Sequence, residues 1–219
     1  MALTRRGLVV LGMAAAAAEQ LWPLTANAVT EGSVLRVGDP RPFTPTAVRA
    51  RARELASQPY QAPDATVPDA IRGLTYDQYR DIRYRPDAAI WKAESLPVEL
   101  QLFHLGHVYA EPVVINLVSE GASRHVVFSP DLFDYGPLVQ QPIPAEDVGF
   151  SGFRLHGPLN GSDYFDEFAV FQGASYFRAI GQHQTYGLSA RGLAINTAEP
   201  DGEEFPAFRE FWIEKPRAG

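Results

Sequence analysis

Acidic side chains and aromatic rings gather in the last third of this sequence, a combination that could do carbohydrate chemistry. Asp163, Asp166 and Glu167 stand within Ser162-Asp163-Tyr164-Phe165-Asp166-Glu167-Phe168, and Glu203-Glu204 precede Phe205-Pro206. Near them lie Tyr164, Phe165, Phe171, Tyr176, Phe177, Tyr186, Phe208, Phe211 and Trp212. Cleaving a glycosidic bond takes a carboxylic acid and a carboxylate on opposite sides of it. Flat rings with polar tips, joined by a few acids or arginines, make a sugar-binding cleft. The same residues can instead be sandwich core and loop caps. Sequence spacing does not measure the distance between two carboxylates, so no catalytic residue is assigned. For carbohydrate contact the candidates are Tyr176, Arg178, Tyr186, Arg191 and Trp212, with rings to stack on sugar faces and guanidinium groups to donate to hydroxyls.

Other chemistries find less support. His104-Leu105-Gly106-His107 has an i, i+3 spacing, but on a strand the two rings point to opposite faces and no third ligand is close in sequence. These histidines read as turn or surface residues, and His125, His156 and His183 are isolated. Gly187-Leu188-Ser189-Ala190-Arg191-Gly192 misses the G-x-S-x-G elbow by one residue, and its glycines fit a bulge better. No phosphate loop or dinucleotide glycine pattern occurs. With 0 cysteines there is no disulfide framework and no thiolate nucleophile or ligand. The sequence thus implies no metal and no cofactor. A net charge of −7 repels phosphate, which argues against nucleic acid as a partner.

The elements that must position these residues are mostly strands. Thr44-Pro45 opens a helix, Thr44 as N-cap and Pro45 at the first helical position, with Val48, Ala52, Leu55 and Ala56 on one face and Pro59 ending it. Thr75-Tyr76-Asp77-Gln78 has capping-box spacing and predicts a second short helix to about Ile82. From Pro97 the texture changes. Val98, Leu100 and Leu102 alternate with Glu99, Gln101 and Phe103, as in a half-buried strand. Pro112 to Val118 and Arg124 to Ser129 are short apolar runs joined by a hairpin turn at Ser119-Glu120-Gly121-Ala122. Further strand-like runs are Gly152–His156, Phe168–Gln172, Ser175–Ala179, Tyr186–Ile195 and Arg209–Glu214. Their spacing predicts an antiparallel sandwich rather than βαβ units.

The two ends carry signals of their own. Thr4-Arg5-Arg6-Gly7-Leu8 is a twin-arginine start, followed by an alanine-rich apolar stretch to Ala18 and an A-x-A site at Ala26-Asn27-Ala28. The apolar run is about half of the ~20 residues a bilayer span needs. Residues 1–28 are therefore expected to be a signal peptide cut before Val29, delivering residues 29–219 to the periplasm with no stable membrane insertion. At the other end the chain runs from an apolar strand straight into Pro216-Arg217-Ala218-Gly219. That strand would need partners for its faces and edges, so residues 29–219 are expected to be an incomplete domain.

Longer stretches of the sequence resemble a known family. Phe171 through Ala179, Gln184 through Ile195, Gly202 through Pro206 and Phe208-Arg209-Glu210-Phe211-Trp212 resemble the periplasmic osmoregulated-glucan biosynthesis proteins, types G and D. So do Tyr79-Arg80-Asp81-Ile82-Arg83-Tyr84, Phe103-His104 through Pro112-Val113-Val114-Ile115-Asn116, and Gly149 through His156. The resemblance runs from about residue 34 to residue 216, and the twin-arginine start leans toward type D. It implies a large β-sandwich of the galactose-mutarotase-like kind, all-β apart from the two short N-terminal helices, followed by a smaller immunoglobulin-like domain. It implies a role in making or trimming β-1,2-linked glucose backbones, and so a β-glucan partner. Family members are associated with β-1,2-glucan cleavage or transglycosylation by acids in the later part of the large domain. This chain would cover roughly the first half of that domain, so those acids are not carried over. The alternatives are a non-catalytic carbohydrate-binding or scaffolding module and an inactive shortened product.

Overall fold

The computed structural model describes residues 34–62 and 67–218. The expected signal peptide lies outside them. Two short strands, β1 (Arg36–Val37) and β2 (Arg41–Pro42), lead into helix α1 (Pro45–Ala56). Pro45 starts this helix as expected, but the Thr44 side chain makes no cap hydrogen bond to it; its hydroxyl sits 2.8 Å from that of Thr46 instead. None of the α1 residues is buried, so the apolar stripe predicted for it faces no core. A one-turn helix α2 (Asp69–Arg72), which carries no strong periodic signal, precedes α3 (Tyr76–Arg80). There the capping box forms in full: Gln78 N–H donates to the Thr75 hydroxyl, and Thr75 N–H donates to the Gln78 side chain. The helix stops at Arg80 because Ile82, expected as its end, starts β3 (Ile82–Tyr84).

The remaining strands are β4 (Glu99–Phe103), β5 (Val114–Ser119), β6 (Ala122–Val127), β7 (Phe133–Tyr135), β8 (Gly152–Gly157), β9 (Asp166–Gln172), β10 (Tyr176–Ala179), β11 (Ala190–Arg191) and β12 (Glu210–Glu214). Glu120 and Gly121 both take positive φ, 51° and 74°, and so close β5 onto β6 with the tight turn that matches strand twist. The first sheet runs β1-β6-β5-β12 with β2 also on β6, and the second runs β11-β10-β9-β8-β4; β3 and β7 form a separate pair. Among the described residues all strand pairings are antiparallel except one. β12 lies parallel to β5, with Phe211 opposite Ile115, within a sandwich otherwise antiparallel as expected.

The two five-stranded sheets meet face to face through aromatic rings. Phe153 of β8 stacks on Phe171 of β9 at 5.0 Å and meets Phe211 of β12 edge-on at 4.9 Å. Phe171 continues to Phe177 of β10 at 5.6 Å. Leu100, Leu102, Ile115, Val126, Phe128, Leu132 and Phe150 are buried in the same cluster. Each such ring or branched side chain contributes about 1.5–3 kcal/mol when fully buried. Period-2 alternation then sends Gln101, Arg154, Gln172 and Arg178 to the other side of the second sheet. The run Tyr186–Ile195, expected as one strand, pairs as a strand at Ala190–Arg191 and otherwise makes a single bridge, Ile195 to Glu204. Its apolar side chains have no sheet to lie on: Leu188 is 98% exposed and Leu193 54%.

Candidate functional site

The outer face of the second sheet is polar where its inner face is aromatic. Pairing sets Gln101 of β4 opposite Arg154 of β8, and Arg154 opposite Val170 of β9, which faces Arg178 of β10. Cross-strand partners share a face, so these residues form one row across four strands. A bulge extends it. Between Leu155 and His156 the register shifts: Leu155 faces Ala169, His156 faces Glu167, and Phe168 is the extra residue. Without that insertion Glu167 would point into the sandwich. With it, the carboxylate joins the row, and Arg154 Nη1 donates to Glu167 Oε2 at 3.1 Å.

Arg154 is held on three sides. Its Nε and Nη2 donate to Gln101 Oε1 at 3.1 and 2.7 Å, and its guanidinium lies 5.6 Å from the centre of the Phe103 ring. The Arg154 and Glu167 side chains keep 31% and 28% of their surface in solvent. Their pairing therefore adds little to stability, and its larger effect is to fix a donor fork in one orientation. His156 stands beside them, its pKa lowered first by burial and then by the Arg154 charge.

Next to this row opens a cavity of about 570 Å³, lined by residues of α3, β3, β4, β7, β8 and β9 and by His104 after β4, including Tyr79, Arg80, Arg83, Tyr84, Phe103, Asp134, Arg154 and Gln172. One hydrogen-bonded network builds its wall. Gln172 Nε2 donates to the Tyr79 hydroxyl at 2.7 Å and to the Ser151 hydroxyl at 2.8 Å. Both hydroxyls in turn donate to the His104 carbonyl, at 3.2 and 2.8 Å. Burial raises the Tyr79 pKa. His104 corrects a sequence expectation: it is neither a turn nor a surface residue but 3% exposed, enclosed edge-on by Phe128, Phe133 and Tyr135. Its Nδ1 faces the Leu105 carbonyl, which only accepts, so Nδ1 carries the proton and Nε2 accepts from the Tyr135 hydroxyl at 3.1 Å. Burial lowers its pKa to about 4, which keeps the ring neutral. His107 takes a positive φ of 52° in the following turn. Among the described residues no group of three or more His, Cys, Asp and Glu side chains could hold a metal ion.

Of the five residues singled out in the sequence, four lie on β10, β11 and the loop between them. Tyr176 and Arg191 are cross-strand partners. The Arg191 guanidinium sits 5.9 Å from the Tyr176 ring centre and 5.5 Å from that of Phe205, and it pairs with Glu203. Arg178 donates to the Ser189 hydroxyl at 3.0 Å. The Tyr186 hydroxyl donates to the Glu167 carbonyl at 2.6 Å, and partial burial, then the Glu167 carboxylate, raises its pKa to about 12. Trp212 is not brought to them. Its neighbours Phe211 and Ile213 pack into the core, so it lies on the far side of the first sheet, where it stacks on Phe43 at 6.3 Å. The acids of this region are engaged elsewhere: Glu167 with Arg154, Glu203 with Arg191, Asp166 with Asn160 and Asp163 with Ser162. Gln101, Arg154, Gln172 and Tyr79 were not singled out by sequence reading. For Gln101, Arg154 and Gln172 the one signal was a polar residue at an alternate position of an apolar strand, as in Leu100-Gln101-Leu102 and Phe153-Arg154-Leu155; Tyr79 lies on α3.

Comparison with known proteins gives this geometry a context. Residues 43–219 match the family described as periplasmic glucan biosynthesis protein, MdoG. The glucans biosynthesis protein G of Vibrio cholerae is 50% identical over 184 residues, which are 84% of this chain and 34% of that protein. The protein of the same name from Ralstonia nicotianae is 56% identical over 171 residues, covering 78% and 34%. That of Rhodopseudomonas palustris is 46% identical over 214 residues, covering 98% and 41%. The chain thus spans between a third and two fifths of the length of these relatives.

Proposed function

We propose, because this chain belongs to the MdoG family of periplasmic glucan biosynthesis proteins, that it works in the periplasm on the backbone of a β-1,2-linked glucan, which it binds along the outer face of the second sheet. The observation that carries this is the Arg154 fork, fixed by Gln101 and Glu167 on a sheet face that also presents Phe103, Gln172 and Arg178. A fork donating to hydroxyls beside aromatic rings suits a neutral sugar chain. Tyr176, Arg178, Tyr186 and Arg191 extend the same surface toward β11, while Trp212 would contribute only if the glucan also reaches the first sheet. Delivery by a twin-arginine signal in residues 1–28, the type D assignment that leans on it, and a galactose-mutarotase-like sandwich in residues 29–219 are parts of the same proposal.

Binding is favoured over catalysis for these residues, because Asp163, Asp166, Glu167 and Glu203 already have partners. The test is calorimetric titration of the purified chain with linear β-1,2-glucan. Arg154→Ala is expected to weaken binding about tenfold or more, as loss of a charged donor does. An unchanged affinity in that variant would remove the sheet face from the account. Shortening of the glucan by the chain itself would overturn the preference for binding over catalysis.

A further inference from the structure

The cavity beside the Arg154 row has a charge that the rest of the molecule does not. The chain as a whole holds 26 acidic and 19 basic residues, yet the cavity is lined by Arg80, Arg83 and Arg154 against a single carboxylate, Asp134. His104, also on the wall, stays neutral because burial holds its pKa near 4. Arg154 is already matched by Glu167. Arg80 and Arg83 are not: among the described residues neither forms an ion pair. Arg80 rests over the Tyr76 ring at 5.5 Å, which steers the guanidinium without neutralising it. Arg83 faces Asp134 across the β3–β7 pair, but no side-chain contact joins them. Phe103 also lines the cavity and is partly exposed, whereas Tyr84 and Phe133 are buried in the core.

We propose that this cavity binds a sugar carrying an anionic group, the ring resting against Phe103 and the anion held by Arg80 and Arg83. Its volume, about 570 Å³, is within the range of small-ligand sites, and paired guanidinium groups suit phosphate or carboxylate oxygens. The proposal rests on the glucan reading in one respect: the Arg154 fork borders both surfaces, so a glucan on the sheet face would place a charged substituent at the cavity mouth.

The probes are glucose, glucose 6-phosphate and inorganic phosphate, titrated calorimetrically into the purified protein at low ionic strength. Glucose 6-phosphate is expected to bind about tenfold or more tightly than either glucose or phosphate, and the preference should shrink as salt is raised. Arg80→Gln combined with Arg83→Gln should reduce it to about twofold or less; both side chains are exposed, so the melting temperature serves as the folding control. If the double variant melts early, the single variants are read instead, and each must lower the preference. Equal affinity for glucose and its phosphate, phosphate alone binding as tightly as the sugar phosphate, or a preference that survives both substitutions would each overturn the proposal. Neutral β-1,2-glucan titrated in parallel separates the two readings. Loss of glucan binding with the sugar-phosphate preference intact sinks the sheet-face account alone, and glucan binding without that preference sinks the anion site alone.

Discussion

Acid is expected to destabilise this protein through one buried ring. His104 has a folded pKa of about 4 against an ordinary value near 6.5, so between those values the unfolded chain binds a proton that the folded chain refuses. Stability therefore falls as pH drops through this window, by up to about 1.4 kcal/mol per pH unit. From pH 7.5 to pH 4.5 the loss through His104 alone works out at about 2.5 kcal/mol. His156, also lowered, adds in the same direction. His125 acts oppositely: its Asp147 partner raises its pKa, so its contribution is complete below the ordinary histidine value and is lost as pH rises. The measurement is urea unfolding at a series of pH values on the parent and on His104→Gln, which cannot titrate. The variant loses ring packing and is less stable at every pH, but the drop between pH 7.5 and 4.5 should be smaller by about 2.5 kcal/mol. Equal drops in the two proteins would refute the reasoning, whatever their absolute stabilities.

Two further outcomes follow from the packing. A Cβ on Gly152 would lie 2.0 Å from the Phe171 carbonyl oxygen, so Gly152→Ala should cost about 3 kcal/mol or prevent folding, read from the shift in urea midpoint; a shift under about 1 kcal/mol would mean that β8 and β9 separate more easily than their pairing implies. Tyr176→Ala and Trp212→Ala compare the outer faces of the two sheets in glucan titrations. A glucan confined to the second sheet loses affinity only in the first variant, and equal losses would mean that both faces are used.

Where the sequence was legible, the cause was local. Leu100 and Leu102 face in and Gln101 faces out because the strand period is 2, and the Thr75 box and the Glu120-Gly121 turn are specified by the residues that form them. What it hid depends on distant partners. Tyr186 to Ile195 has strand-forming residues but forms a strand at only Ala190–Arg191, with a lone bridge at Ile195, since apolar composition does not supply a neighbouring strand. His104 was misread because its burial comes from Phe128, Phe133 and Tyr135, three side chains from other parts of the chain. The candidate site was divided in the same way. The aromatic and arginine residues of β10 and β11 were visible by type, whereas Arg154 and Glu167 became a pair only through the extra residue at Phe168, which no local pattern announces.

The parallel contact of β12 with β5 has a consequence for the order in which the protein is made. Glu210 meets Val114 and Glu214 meets Val118, so the first sheet cannot finish until the ribosome has released residues almost a hundred positions after the strand they join. Closing so long a loop is entropically slow, and in the meantime β5 presents a bare edge able to pair with another nascent chain. Local hairpins such as β5–β6 can form early, while β12 docks later. Folding of this sheet should therefore be rate-limited by a single late event, and aggregation during synthesis should be most sensitive to substitutions on β12.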